Sequence, residues 1–210
     1  MFKQPRFCKR AGKDAHLYQN QGILANIFVL LLSLEMGGGL DMATDIDTKK
    51  VPGAQVLSGL SELQAGACRM AAGARQRIFI YDWQLDRSVY DQECLVEAVK
   101  QLVIRHANTH VRILLADTEP LRLGGYRMLE LARRLPSAIE IRLRAEQFAG
   151  DLRSFMLVDD AGYVYCPVWH DLNACIAEDG NRYRVRELAA EFTRAWEQSA
   201  EDPGLRQLPI

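Results

Sequence analysis

Residues 152–159, Leu-Arg-Ser-Phe-Met-Leu-Val-Asp, carry the reading that decides the fold. Ser154 to Val158 is a short apolar run that predicts a buried strand, and Asp159-Asp160-Ala161-Gly162 after it reads as a turn into a second strand, Tyr163 to Cys166. Gly162 is the expected source of the positive φ that a tight hairpin needs.

Upstream, helices and strands alternate. Ser61 to Ala74 places Leu60, Leu63, Ala67, Met70 and Ala71 at spacings of three and four, which predicts an amphipathic helix with a small-residue face. Arg77 to Tyr81 is a strand, and Asp82-Trp83-Gln84-Leu85-Asp86 leaves it as a polar loop of the kind that forms sites. A second helix, Tyr90 to Ala107, precedes the strand Val111 to Ala116, whose nearly continuous apolar character suggests a sheet covered on both faces. Arg122 to Leu135 predicts a third helix and Ala138 to Leu143 a third strand. This βαβαβ order points to an α/β fold with a mixed, largely parallel sheet flanked by helices. Downstream, Ala174 to Ala177 is a further short strand. Val185 to Gln198 is the last helix, with Leu188, Phe192, Ala195 and Trp196 on one face and a stop at Asp202-Pro203-Gly204.

Composition bounds the partners. The 210 residues are 49% hydrophobic and 25% charged, enough for one domain with a real core, placed at 51–210. The chain has 26 basic and 27 acidic residues; the first 50 hold 7 and 5, leaving 19 and 22, so the basic footprint of a nucleic-acid binder is absent. Lys100 is the only lysine after Val51, and this arginine bias is read as base composition in the gene rather than anion recognition. Five cysteines, Cys8, Cys68, Cys94, Cys166 and Cys175, form no CxxC pair, so neither a disulfide framework nor a zinc site is expected. A reducing, cytoplasmic setting follows, with Cys68 and Cys94 as small buried hydrophobes.

Residues 1–50 read as an extension distinct from the domain. Lys3, Arg6, Lys9, Arg10 and Lys13 precede an apolar run from Ile23 to Leu34, which has the outline of a signal peptide and is short for a bilayer span. A start at Met42, with the preceding codons mis-assigned, is the favoured reading over a cleaved signal or a membrane anchor.

From Leu60 to Trp196 this order resembles one half of the phospholipase D superfamily fold. Three features carry the resemblance: the small-residue helix entering Ile78-Phe79-Ile80, the helix feeding Val111-Arg112-Ile113-Leu114-Leu115, and the Asp159 hairpin followed by the Leu188-x3-Phe192-x3-Trp196 helix. Bacterial members that have lost the active-site motif are the nearest likeness. Active members carry His-x-Lys-x4-Asp on the strand: the histidine attacks phosphorus, the lysine neutralises the developing charge and the aspartate organises the site. Anchored on Asp159, the motif places the histidine at Leu152 and the lysine at Ser154; anchored on Asp160, at Arg153 and Phe155. Neither register supplies the pair. The following phosphate-holding segment is replaced by Pro167-Val168-Trp169. The resemblance therefore implies a pseudoenzyme without catalytic residues, acting as a binding or interaction module, with a homodimer as the family's usual assembly.

Candidate pocket residues are Arg153, Asp159 and His170, with Asp82 and Trp83 at the end of the first strand. A hydrolase using Asp159, Arg153 and His170 in an unfamiliar arrangement is the rival reading. An accessory partner of another enzyme, marked by an exposed apolar patch, is the third. Arg142 and Arg144, two apart on one strand, are read as its solvent face. His106 and His110 sit on different elements, so no shared metal is expected, and His106 is assigned to capping its helix. The nucleotide-binding and hydrolase motifs GxxxxGK[ST], GxGxxG and GxSxG are absent from the sequence, and no cofactor is expected.

Overall fold

The computed structural model describes residues 53–105 and 108–206. The assignments made above for residues 1–50 and for His106 lie outside the described residues. Eight strands form one sheet: β1 (Gln55–Leu57), β2 (Arg77–Asp82), β3 (His110–Leu115), β4 (Ile139–Leu143), β5 (Ser154–Val158), β6 (Gly162–Cys166), β7 (Cys175–Glu178) and β8 (Ala200–Glu201). The helices are α1 (Leu60–Gly73), α2 (Arg87–Tyr90), α3 (Glu93–Arg105), α4 (Glu119–Arg122), α5 (Arg127–Arg134) and α6 (Arg182–Glu197).

The strand order is β1-β7-β6-β5-β2-β3-β4-β8. The sheet is mixed and carries helices on both faces. Parallel pairing is confined to β2 with β3 and β3 with β4, whose crossovers run through α3 and α5; every other neighbouring pair is antiparallel.

Strands β2, β3 and β5 lack polar alternation because both faces are covered. Ile78, Ile80, Val111, Ile113, Met156 and Val158 pack with α1, α3 and α5 on one face. Phe79, Tyr81, Leu114, Phe155 and Leu157 pack under Val185, Leu188, Phe192 and Trp196 of α6 on the other. Small residues let α1 approach closely: a Cβ added at Gly66 would already sit 3.4 Å from a Leu57 methyl. Asn181 starts α6 by accepting the Arg184 N–H at 3.0 Å.

Five expectations need correction. The sheet expected to be largely parallel is mostly antiparallel, because helical crossovers join only β2 to β3 and β3 to β4 while β5, β6 and β7 follow one another as antiparallel neighbours. The predicted helix 122–135 is two pieces, because Gly124 and Gly125 take φ of +89° and +79° and break the helical backbone between α4 and α5. In the β5–β6 hairpin the positive φ belongs to Asp159, at 51°, and Gly162 is the first residue of β6. Arg142 and Arg144 do not form a solvent face, since α6 covers that side. Arg142 lies 4.3 Å from the Trp196 ring and Arg144 lies 3.7 Å from the Tyr81 ring, with Arg144 only 5% exposed.

The cysteines also depart from expectation. Cys68 on α1 is bonded to Cys94 on α3, and Cys166 on β6 to Cys175 on β7. The first pair lies toward solvent, with Cys94 exposed. The second is buried and closes the loop that carries Trp169 and His170.

Candidate functional site

The ends of β2, β5 and β6 meet at one edge of the sheet, and the residues there separate by face. On the α1 side, Asp82 ends β2 and Ser154 begins β5. The Asp82 carboxylate accepts the Asp86 N–H at 3.0 Å, and the Ser154 hydroxyl lies 3.2 Å from the Tyr90 hydroxyl. Asp82 is 2% exposed, and burial raises its pKa against the opposing hydrogen bonds from Ser154 and the Asp86 and Trp83 backbone.

A raised carboxyl binds protons more tightly folded than unfolded, so its contribution to stability falls as pH rises from the ordinary aspartate range through the folded value. Asp82→Asn is expected to be more stable than the native protein at pH 7. The two should converge near pH 4. Urea unfolding at both pH values checks this, and an equal deficit for the variant at both would refute it.

Above these groups lies an aromatic cluster. Trp83 and Trp169 are near-parallel at 5.9 Å between ring centroids, and His170 stands edge-on to Trp169 at 5.2 Å. The Trp169 N–H donates to the Leu152 carbonyl at 2.8 Å, and Leu152 is 44% exposed. Trp83 and Trp169 are half-buried and His170 is exposed.

On the α6 side a charged network replaces it. Arg153 donates to Asp151 through Nε at 2.9 Å and Nη2 at 2.7 Å, and to Glu191 through Nη1 at 2.7 Å. The Tyr81 hydroxyl donates to Asp151 at 3.0 Å. Burial acts to raise the Asp151 carboxyl, but the bonds and charge of Arg153 outweigh it and hold the pKa below the ordinary value. Burial pushes the Tyr81 hydroxyl up to about 12.

Of the residues singled out from sequence, Asp82, Trp83, Arg153 and His170 are thus at the same edge, though on different faces. Asp159 is not. It lies at the far end of β5, six residues from Arg153 along extended chain, or about 20 Å. Its carboxylate accepts the N–H groups of Arg75, Gln76 and Arg77 at 2.9, 2.8 and 3.0 Å, tying the hairpin to the α1–β2 loop. Arg153, Asp159 and His170 therefore do not converge. Sequence reasoning missed Asp151, Glu191, Tyr81 and Tyr90. The tyrosines read as strand and helix residues, and nothing in the spacing of Asp151 and Glu191 links them.

Among the described residues, no group of three or more His, Cys, Asp or Glu side chains is placed to hold a metal ion. No helix among them is long and apolar enough to cross a membrane.

Residues 59–208 match the model of a domain of unknown function, DUF7931, and the chain belongs to that family. No curated protein matches it in sequence. Among solved structures, TrmBL2, an archaeal chromatin protein described as showing a novel mode of DNA binding, aligns with a TM-score of 0.53 at 13% identity. The alignment covers 89% of this chain, which spans 64% of that one. At this identity the likeness is one of fold. Phospholipase D family members are also among the similar structures. Nuc from Salmonella typhimurium has a TM-score of 0.45 at 11% identity, covering 65% of this chain and 88% of its own. NucT from Helicobacter pylori has 0.47 at 10%, covering 68% and 92%.

Proposed function

We propose that this protein is a non-catalytic binding module on a phospholipase D-like half-domain. One feature of the sequence carries the reading: where that family's strand presents histidine and lysine, this chain has Leu152 and Ser154 in the register anchored on Asp159, and Arg153 and Phe155 in the register anchored on Asp160. Leu152 is apolar, and Ser154 is buried against Tyr90. A covalent phosphoryl-transfer mechanism needs a nucleophile and a cation to stabilise the phosphoryl charge, and neither register supplies the pair. The Trp83, Trp169 and Leu152 surface over this position suits contact with an apolar or aromatic group better than with a diester. A homodimer, the usual assembly of half-domain members, belongs to the same reading.

The reading of the compartment turns on the state of the cysteines. Reduced thiols would suit the cytoplasm, whereas two bonded pairs weigh toward an oxidising setting, and a thiol count on native protein distinguishes the two.

The experiment is hydrolysis of a chromogenic phosphodiester by purified protein, for which no turnover above the blank is expected. Turnover would favour the rival hydrolase reading.

A further inference from the structure

We propose that the ends of β2, β4 and β5 on the α6 side form a binding site for a phosphate group, in which Asp151 is held as an internal stand-in. Two independent features of the network lead there.

The first is Arg144, which follows β4. It is 5% exposed, and its guanidinium lies against the Tyr81 ring. Its Nη1 donates to the Asp151 carbonyl at 2.8 Å and its Nη2 to the Asp82 carbonyl. Its Nε is buried without an acceptor, and among the described residues it forms no ion pair with a carboxylate. A buried arginine ordinarily has a counter-charge and satisfied donors. Here one donor is left over, and the charge is met only by neighbouring carboxylates, Asp151 and Asp82, that form no hydrogen bond to the guanidinium.

The second is the way Asp151 is held. Its carboxylate receives the Arg153 side chain through Nε and Nη2, the Arg153 N–H at 3.1 Å and the Tyr81 hydroxyl. A planar guanidinium fork joined by a backbone N–H and a hydroxyl is an arrangement suited to phosphate oxygens as well as to a carboxylate. The side chains of Asp151, Arg153 and Glu191 are 19%, 34% and 34% exposed, so the group opens to solvent. Arg144 and Arg153 are balanced at present by Asp151 and Glu191. When Asp151 swings out, its donors are released and the site gains a net positive charge.

This site goes beyond the binding-module reading by adding a second surface with its own ligand class, and rests on that reading for its role only. It lies on the opposite sheet face from Ser154, so phosphate binding and diester turnover fail independently of each other.

The test titrates the full-length native protein, Asp151→Asn and Asp151→Asn with Arg153→Gln with inorganic phosphate, against chloride at matched ionic strength and pH 7. The readouts are the thermal midpoint and the arginine Nε–H NMR signals. Asp151→Asn is expected to bind phosphate about tenfold more tightly than the native protein. The Arg144 signal should move, and Arg153→Gln should remove the gain. A folded Asp151→Asn variant that responds to phosphate as the native protein does would overturn the proposal. Should Asp151→Asn not fold, Glu191→Gln serves in its place. It leaves Asp151 bound and removes the other carboxylate, and about threefold tighter binding is expected. No change in a folded Glu191→Gln variant would overturn the proposal equally.

Discussion

Replacing Phe192 by alanine is expected to lower the unfolding free energy by about 4 kcal/mol, the range for deleting a fully buried phenylalanine. Phe192 is 0% exposed at the centre of α6. It stacks on Phe79 of β2 at 4.6 Å and faces Trp196 at 5.6 Å. α6 is the helix that covers this face of the central strands, so the cavity would lie between the helix and the middle of the sheet. Collapse around it is opposed by the rigid strands on one side and by Trp196, with Arg142 against it, on the other. In a protein of this size the thermal midpoint should fall by about 10 °C. A loss of less than about 1 kcal/mol in urea unfolding would mean that α6 does not pack as described.

Opening the Cys68–Cys94 bond should have a comparable effect. The cysteines are 26 residues apart, and closing a loop of that length restricts the unfolded chain by about 3 to 4 kcal/mol in the loop-entropy account. The bond joins the middle of α1 to the first turn of α3 on the same sheet face, so its loss also removes the covalent tie between these two helices. The Cys166–Cys175 bond closes a shorter loop, 9 residues apart, and should contribute about 2.5 to 3 kcal/mol by the same relation. Unfolding with and without a reducing agent, alongside Cys68→Ala with Cys94→Ala, separates the two. Identical curves with and without reductant would return the cysteines to the reduced state first expected of them.

The centre of the fold was legible because it obeys simple patterning. Continuous apolar runs in β2, β3 and β5 signal strands covered on both faces, and the spacing of Leu188, Phe192 and Trp196 signals the helix that covers one of them. What escaped depends on neighbours distant in sequence. β1 and β8 are edge strands of three and two residues, too short to show a period. Arg142 and Arg144 alternate as a solvent face would, yet the sequence does not say that a helix 40 residues later lies over them; there their flat guanidinium groups stack on Tyr81 and Trp196. The cysteine pairs join separate elements and leave no local signature. Asp159 was correctly placed in the hairpin, but its three backbone partners come from the α1–β2 loop, so its part is to hold that loop and not to serve a pocket.

The candidate site was legible in location and only partly in content. Trp83 and His170 could be assigned to loops at strand ends, and the structure brings them to one edge. The grip of Arg153 on Asp151 and Glu191 had no counterpart in the sequence pattern, because a residue two positions away and another on α6 complete it.

The central proposal is that this chain is a non-catalytic binding module, and turnover tests that most directly. Purified native protein should hydrolyse bis(4-nitrophenyl) phosphate no faster than buffer across the pH range in which it is folded. Ser154→Ala and Asp82→Asn should give the same blank. Turnover by the native protein that is lost in either variant would contradict the account, placing a working active site at the edge where Leu152 and Ser154 are read as having displaced one.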